Sequence, residues 1–432
     1  MTLSWQAGSA IAPFPTAHGT PLGGYLDRAG PASDTLDELE IGAFVLRCAN
    51  RQLAIVTADV VGVDTALATA IAATSGIPKD DLLLSASHTH SGPRAIVERL
   101  HPADPGMLDP DLRARFVAIA GEVLARATER CEPVTLDICE WPVRNAWTNR
   151  NDPHGPNDAR IRLATARRPD RSLQTAIALI ACHPTILGAS STMVSADLIG
   201  GIRRSLADVL AREGAPANVL SLTGAAGDIS TRFTRQESTA AEIDRLGKLA
   251  TTGLPDALAT AREIAPSLSS LTTHRVTCTL PSALAAPGGF NPEETMRLAE
   301  RQLQDLDANG GSEAERRQAI TRRQGAYLRS LLPNMPSAYF QIELSGWRIG
   351  DTVALLDVPG ELFTSLGTTI EHESPFATTW VAGYGNGYVG YIADRIAYDS
   401  LTYEAMASPF APDAGAIVTS AANHLLASMF AH

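Results

Sequence analysis

The sequence predicts an α/β protein with mixed β-sheets flanked by helices and a functional site assembled at strand ends. Short runs of β-branched and other apolar residues alternate with segments whose apolar residues recur at helical spacing. Histidine or glutamate residues follow closely after several of the strand-like runs. The ends of neighbouring strands converge on one crevice in layered α/β folds, so this placement predicts a single shared site.

The N-terminal third of the chain contains strand-like runs and two helical segments. Ile41–Arg47, Leu53–Asp59 and Leu82–Ala86 are rich in residues that favour strands. Thr65–Thr74 is predicted as the first helix. Pro110–Arg130 is predicted as the second, because its apolar residues recur at three- and four-residue spacing and basic residues lie toward its end.

The middle of the chain continues this alternation of strands and helices. Ala176–Ala181 is a continuous apolar run that ends just before His183, as expected for a buried strand that delivers this histidine to a sheet edge. Further strands are predicted at Val134–Ile138, Ile161–Thr165 and Asn218–Leu222, and helices at Ile199–Glu213 and Ala240–Glu263.

The C-terminal part begins with a segment rich in Glu, Arg, Gln and Leu. This segment, Pro292–Leu332, is broken once at residues 309–312 and predicts a helical hairpin inserted on the solvated surface. Trp347–Pro359 then predicts β structure around a tight turn. Helices are predicted at Glu361–Ile370 and Ala416–Met429. With no internal repeat and no low-complexity linker, we expect residues 1–432 to form one domain.

Composition excludes several classes of function. The formal net charge of −12 and the pI near 5.3 argue against nucleic-acid binding, which needs a basic surface. The five cysteines are an odd number without a CxxC pair, so we expect free thiols in a reducing compartment. The first charged residue is Asp27 and no apolar window approaches the length of a membrane span. We therefore expect a cytoplasmic protein without stable membrane insertion.

The candidate metal ligands are histidines and a glutamate near strand ends. His88 and His90 follow the strand Leu82–Ala86, His183 follows Ala176–Ala181, and Glu361 follows Val358-Pro359-Gly360. Two histidines and one carboxylate form a common ligand set for hydrolytic zinc. Each residue alone also has a structural interpretation: a buried core histidine, or an acidic residue at a helix start.

The same segments resemble, in order, the motifs of the neutral/alkaline ceramidase family. The N-terminal Leu22-Gly23-Gly24-Tyr25 and the run Ala54–Asp59 fit the same pattern. The motifs that carry the resemblance are His88-Thr89-His90-Ser91-Gly92-Pro93, His183-Pro184-Thr185, Gly227-Asp228-Ile229-Ser230, Pro359-Gly360-Glu361, and Asn386 to Ile392 followed by Tyr403-Glu404.

The resemblance implies a role for each matching residue. The zinc ligands would be His88, His183, Glu361 and Tyr391. His90 would hydrogen-bond the substrate or relay a proton, and Ser230 would lie in the catalytic centre as nucleophile or polar contact. The arginine and tyrosine of the family's catalytic centre match Arg150 and Tyr403, which we expect to stabilise the oxyanion.

The expected chemistry is hydrolysis of an N-acyl amide by water on a zinc ion, because zinc lowers the pKa of bound water toward about 7. The alternative nucleophile is Ser230, although no G-x-S-x-G elbow surrounds it. Asp59 or Asp228 either orients a ligand histidine or is a turn residue. Other interpretations are a true ceramidase, a serine-type esterase or amidase, and a metal-binding protein without catalysis.

The chain departs from the family pattern at two arginines. Arg94 follows Pro93, and Arg232 follows Thr231, where the family has other residues. These arginines either form surface ion pairs or bind a carboxylate or other anion on a smaller polar amide. Tyr388, in the Gly/Tyr-rich loop, is a third candidate substrate contact.

The resemblance also sets expectations for architecture and partners. The chain ends at residue 432, so we expect no additional C-terminal β-sandwich domain. The expected partner is a small-molecule amide or an N-acyl lipid, and the sequence is compatible with a homo-oligomer.

Overall fold

The computed structural model describes residues 3–101, 106–213, 217–283, 291–332 and 339–431. Within these ranges the strands are β1 Trp5–Pro13, β2 Asp34–Thr35, β3 Glu40–Cys48, β4 Arg51–Ala58, β5 Leu82–Ala86, β6 Glu132–Pro142, β7 Thr148–Asn149, β8 Arg160–Arg167, β9 Leu173–Ile180, β10 Met193–Val194, β11 Asn218–Thr223, β12 Ile229–Ser230, β13 Arg262–Glu263, β14 Thr273–Pro281, β15 Tyr339–Ile349, β16 Val353–Val358, β17 Glu361–Leu362, β18 Thr378–Gly383 and β19 Tyr391–Ile392.

The helices connect these strands or cover them. They are α1 Thr65–Ser75, α2 Pro110–Glu129, α3 Asp197–Leu210, α4 Ala240–Ala250, α5 Leu254–Ala259, α6 Pro292–Asn309, α7 Glu313–Leu331, α8 Thr364–Glu373, α9 Arg395–Asp399, α10 Tyr403–Ala407 and α11 Ala414–Ala431. Side chains cap the starts of several helices. The side chain of Ser312, for example, accepts a hydrogen bond from the Glu315 backbone, and Glu315 reaches back in a capping box.

Two mixed sheets form the centre of the fold. The larger has the strand order β11-β9-β8-β6-β1-β3-β4-β5, with β13 paired to β6, and the smaller has the order β14-β15-β16-β18. The pairs β4–β5, β9–β11 and β16–β18 are parallel, whereas the remaining pairs within these two sheets are antiparallel. The α/β architecture with mixed sheets flanked by helices is therefore confirmed.

The two sheets pack face to face between helices, giving four layers. Along β3, Ile41, Ala43 and Val45 face a core shared with α1 and α2, whereas Phe44 and Leu46 face the smaller sheet. This alternation follows from the two-residue period of a strand, which lets both faces of a sheet be buried. The other face of the smaller sheet packs on α8 and α11. The core is thus continuous from α2 through both sheets to α11.

One predicted helix, Ala240–Glu263, is wrong as a single element. Helix α4 ends at Ala250, whose carbonyl accepts a hydrogen bond of 2.8 Å from the Trp141 indole N–H. Gly253 then lies against the Trp141 ring, so closely that a Cβ atom there would be 2.9 Å from the ring. A short helix, α5, follows, and residues 262 and 263 pair with β6.

Two further differences concern the C-terminal half. The predicted helix at Glu361–Ile370 begins at Thr364, because Glu361 instead pairs with Tyr391 in a short parallel bridge between β17 and β19. Helix α11 is long and apolar enough to cross a membrane. Its residues Val418, Leu425 and Met429 are nevertheless buried in the core against the smaller sheet, as in a core helix of a globular protein.

Candidate metal centre

The candidate site lies where parallel strands of both sheets end. His88 follows β5, His183 follows β9, and Glu361 follows β16. The segment after β11 joins them, since the Gly227 N–H donates to the carbonyl of Leu362 and the His183 N–H donates to that of Ile229. The prediction that strand ends gather these three side chains agrees with the geometry of the structure.

His88 has an unusual backbone conformation that aims its imidazole into the site. Its φ angle is 63°, in the left-handed region that non-glycine residues rarely adopt. The Nδ1 atom lies 2.6 Å from the carbonyl oxygen of Val61, so Nε2 points to the centre. Backbone strain of this kind costs on the order of 1–3 kcal/mol and persists where the surroundings enforce it.

His183 is oriented in the same way as His88. Its Nδ1 atom lies 2.7 Å from the carbonyl oxygen of Ala226, and its Nε2 atom lies 2.9 Å from Glu361 Oε2. A backbone carbonyl therefore orients each of these two imidazoles. The expectation that Asp59 or Asp228 does so is wrong, because both carboxylates bond elsewhere.

Both aspartates have structural partners of their own. Asp59 forms a buried two-bond ion pair with Arg203, at 2.8 and 2.5 Å. Asp228 accepts hydrogen bonds from Asn149 Nδ2 at 2.6 Å and from the Thr364 N–H at 2.8 Å. These bonds tie the loops that carry the site to one another rather than to an imidazole.

The potential ligand atoms converge at distances that fit a metal ion. Glu361 Oε2 lies 3.4 Å from His88 Nε2 and 2.9 Å from His183 Nε2, and His90 Nε2 lies 3.2 Å from His88 Nε2. Donors about 2.0–2.1 Å from a tetrahedral zinc ion are separated by about 3.3 Å. His88, His90 and His183 together form a buried group that could hold a metal ion. The nitrogen and oxygen donors present therefore fit the predicted cofactor.

The electrostatics favour a carboxylate between neutral imidazoles. Burial alone raises the pKa of Glu361, but His88 and His183 outweigh it and hold the pKa well below its usual range. Burial, followed by the Arg150 charge, lowers the pKa of His183 to about 4. Burial and the neighbouring His88 also lower the pKa of His90 well below its ordinary value. Neutral imidazoles and an ionised carboxylate are the forms that bind metals.

An N-terminal loop closes over His90. The ring of Tyr25 packs edge-on against the His90 imidazole, with ring centroids 4.8 Å apart. Gly24 has a φ of 87°, and a Cβ atom there would overlap the imidazole. Arg28 lies over the Tyr25 ring and donates to the His90 carbonyl. The Leu22–Tyr25 segment therefore needs glycine at position 24 because the backbone lies directly on His90.

Two tyrosines of the site hydrogen-bond different partners, one the Glu361 carboxylate and the other Arg150. Tyr388 donates its hydroxyl hydrogen to Glu361 Oε1. Tyr391, the predicted ligand, accepts a hydrogen bond of 3.0 Å from Arg150 Nη2 and stacks near His183. Tyr384 was missed by the sequence analysis. Its ring centroid lies 4.4 Å from that of His88. The backbone of Tyr384 has a φ of 60°, and nothing in the sequence of this Gly/Tyr-rich loop indicates which tyrosine adopts that conformation.

Arg150 is locked in place by a buried ion pair. Its Nε donates to Glu404 Oε1 at 2.6 Å, and Asn151 Nδ2 donates to Glu404 Oε2 at 2.9 Å. Burial lowers the pKa of Arg150, but Tyr391 and Glu404 outweigh it and raise the pKa well above its ordinary value. Glu404 was not predicted as a site residue, although it is adjacent to Tyr403 in the quoted motif. Tyr403 itself lies beside Tyr391, with ring centroids 5.9 Å apart.

Ser230 is buried beside the site without a base. Its Oγ accepts a hydrogen bond of 3.2 Å from the Arg232 backbone N–H. Among the described residues, no imidazole or carboxylate bonds to this hydroxyl. The arrangement of a serine nucleophile with an adjacent base is therefore not present in the described part of the chain.

A cavity of about 950 Å³ opens next to Arg150 and Tyr403. Its floor includes Arg150, Asp228 and Tyr403, and one wall is formed by α7. Arg232 lines this cavity, whereas Arg94 is not among its described lining residues. The Arg94 backbone N–H instead donates to the carbonyl of Pro21, beside the N-terminal loop. The structure thus places Arg150, Arg232 and Tyr403 on the cavity, whereas Arg94 and the predicted metal ligands are not among its described lining residues.

Comparisons with known proteins identify the fold. No model of a protein family matches the sequence, and no curated protein matches it. A neutral ceramidase from Pseudomonas aeruginosa superposes with a TM-score of 0.76 at 17% identity, over 100% of this chain and 75% of that one. A ceramidase complexed with C2 gives the same TM-score and identity over 99% and 75% of the two chains. At this identity the comparison establishes a shared architecture: the chain has the fold of the neutral ceramidase structures.

Proposed function

We propose that the chain is a zinc-dependent hydrolase that cleaves the amide bond of an N-acyl compound. The observation that carries this proposal is the buried convergence of His88, His183 and Glu361 next to a large cavity. These nitrogen and oxygen donors suit zinc, and Tyr391, the neighbour of Arg150, would complete the set. When bound there, zinc would supply a water nucleophile at neutral pH, because it lowers the pKa of bound water to about 7.

The protein's own residues would bind the carbonyl and the leaving group. His90, 3.2 Å from His88, would relay a proton: as a neutral base it would take one from the attacking water and pass it to the departing amine. Tyr403 lines the cavity, and its hydroxyl would donate to the oxyanion as the carbonyl becomes tetrahedral. Arg150 bonds Glu404, Tyr391 and the Gly227 carbonyl, so its role is to position Tyr391 and supply positive potential.

The ion pair between Arg150 and Glu404 supports this division of roles. With its Nε and Nη2 donors occupied, Arg150 is fixed in place and holds its neighbours within a narrow range of positions. Preorganised donors of this kind stabilise developing charge without reorganisation during the reaction. Arg150 would therefore stabilise the oxyanion through its charge and by positioning Tyr391.

Hydrolysis of ceramide or another N-acyl lipid is the second candidate function. It is supported by the fold, since two solved structures that share this architecture are ceramidases. The cavity argues for a more polar substrate, because arginine and acidic side chains line it together with Phe233, Phe363 and Met406. The serine-type mechanism has no comparable support, since Ser230 lacks a base among the described residues.

Turnover of two substrates tests these candidates. Zinc-loaded protein would be assayed on a long-chain ceramide in micelles and on a short N-acyl amino acid, with and without a chelator. We expect chelator-sensitive cleavage of the short amide and retention of activity in Ser230→Ala within about tenfold, as for loss of a polar contact. Cleavage of ceramide alone would favour the second candidate. Activity that survives metal removal and vanishes in Ser230→Ala would overturn the zinc mechanism.

A further inference from the structure

The cavity beside the candidate metal centre is lined by arginines that have no carboxylate partner. Arg232, Arg235 and Arg317 all lie on its wall. Arg232 Nη1 donates to the Arg150 carbonyl at 2.9 Å, and Arg235 Nη1 donates to the Thr185 carbonyl at 2.6 Å. Within the described ranges, none of the three forms an ion pair with Asp or Glu. Their positive charge therefore faces the cavity.

Other arginines on helix α7 form ion pairs, whereas Arg317 forms none within the described part of the chain. Arg316 forms an ion pair with Asp307 on the other helix of the hairpin, and Arg323 pairs with Glu300 at 3.3 Å. Arg317 is half-buried on the cavity side of the same helix, without such a partner among the described residues. Arg316 and Arg323 are thus paired with the other helix of the hairpin, whereas Arg317 and Arg322 line the cavity and form no ion pair within the described ranges.

Helix α7 is held against the site rather than projecting into solvent. A Cβ atom at Gly325 would meet the Met406 side chain at 2.9 Å, so α7 packs closely on α10. Gln324 Nε2 donates to Asp27 Oδ2 at 2.6 Å, which links α7 to the N-terminal loop next to His90. The hairpin is therefore a wall of the cavity, in addition to the surface feature that its composition predicts.

The arginines are connected to the residues of the metal centre. Arg232 lies two residues after Ser230 and bonds the backbone of Arg150, which in turn bonds Tyr391. Arg235 bonds Thr185, two residues after His183. Burial and the Arg150 charge lower the pKa of Arg232 to about 10, so this side chain stays cationic at neutral pH. A substrate whose amide lies at the metal centre would extend its other end toward these three charges.

We propose that Arg232, Arg235 and Arg317 form an anion subsite that binds a carboxylate on the substrate. The proposal rests on the proposed amide hydrolase and specifies its substrate class as acidic N-acyl compounds. Half-buried cations without a carboxylate partner keep part of their desolvation cost, and a substrate carboxylate offsets that cost when the guanidinium fork binds it. The net charge of the chain is −12, so these arginines are also a local exception to the charge of the surface.

Paired substrates test the subsite directly. N-hexanoylglycine and N-hexanoylethanolamine share the same amide and differ in a carboxylate against a hydroxymethyl group. A third compound, the monoamide of a dicarboxylic acid, places the carboxylate on the acyl side. We expect the wild-type zinc protein to prefer one of the two acidic amides over the neutral one by about tenfold or more in kcat/KM, as for a charge-assisted hydrogen bond.

Arg317→Ala and Arg316→Ala are matched variants from adjacent positions of one helix. In Arg317→Ala the preference for the acidic amide should fall by about tenfold, mainly through KM. Arg316→Ala should keep the preference. Wild-type protein that cleaves the acidic and neutral amides equally well, or Arg317→Ala that retains the full preference, would overturn the subsite.

A binding measurement separates this proposal from the proposed function. Calorimetric titration with N-hexanoylglycine and N-hexanoylethanolamine measures the subsite without requiring turnover. Selective binding of the acidic compound, weakened in Arg317→Ala and unchanged in Arg316→Ala, supports the subsite even if no amide is cleaved. Cleavage that is chelator-sensitive but indifferent to the carboxylate would retain the hydrolase and reject the anion subsite.

Discussion

Removal of the Glu404 carboxylate is expected to destabilise the protein strongly. Glu404 Oε1 accepts from Arg150 at 2.6 Å, and the two side chains are 1% and 8% exposed. Truncation to alanine leaves the Arg150 cation buried without its carboxylate, which costs about 3–5 kcal/mol. The total free energy of unfolding of a protein is about 5–15 kcal/mol, so Glu404→Ala should lower the urea midpoint and melting temperature markedly.

A neutral pair distinguishes the cost of an unpaired charge from the value of the ion pair. In the double variant Arg150→Met/Glu404→Leu both charges are removed, and stability should recover to near the wild-type level because buried ion pairs are often replaceable. Activity should stay lost, since Tyr391 no longer receives the hydrogen bond from Arg150. Recovery of stability without recovery of turnover would show that the Arg150–Glu404 ion pair is needed for activity and not for folding.

An exposed ion pair provides the matched control. Arg204 and Asp244 lie 3.3 Å apart, with side chains 48% and 57% exposed, and Asp244→Ala should cost less than about 1 kcal/mol. All four proteins would be compared by urea unfolding at pH 7. A change below about 1 kcal/mol in Glu404→Ala would refute the reasoning, because it would mean that Arg150 finds water or another partner.

Two further predictions concern the N-terminal loop and a buried carboxyl. Gly24→Ala should lower kcat/KM by about tenfold or more while zinc content stays at the wild-type level, because a Cβ atom displaces His90 and leaves His88 and Glu361 in place; normal activity in this variant would contradict the close approach. Burial raises the pKa of Asp357 to about 8, so the folded protein keeps a proton that the unfolded chain releases above pH 4. The free energy of unfolding should therefore fall as pH rises from about 4 to 8, and Asp357→Asn should flatten that slope in parallel urea titrations. An identical slope in both proteins would show that this carboxyl ionises normally.

The parts of the fold predicted from sequence are those with strong local signals. Leu82–Ala86 and Pro110–Glu129 are continuous or periodic apolar segments, and their bounds were predicted to within one residue. Strand β1 was missed because Trp5–Pro13 contains glycine, serine and alanine, which give little strand propensity. It is a strand because it pairs with β3 along its whole length, and such a tertiary contact cannot be read locally.

In the candidate site, too, the residues with a local sequence signal were predicted and those that depend on tertiary contacts were not. His88, His183 and Glu361 were grouped because each follows a strand run, and the strand ends do meet. The orienting carbonyls of Val61 and Ala226 have no sequence signature, since any residue can offer a carbonyl oxygen. For this reason the sequence suggested Asp59 and Asp228, whose carboxylates in fact bond other residues.

Metal titration of the metal-free protein, followed by turnover of an N-acyl amide, tests the central claim most directly. Zinc added to chelator-treated wild-type protein should restore activity with an endpoint at one equivalent. His88→Ala should neither bind that equivalent nor regain activity, whereas the exposed His18→Ala should behave as wild type. Amide hydrolysis that persists in the metal-free protein, or full zinc-dependent activity in His88→Ala, would contradict the account.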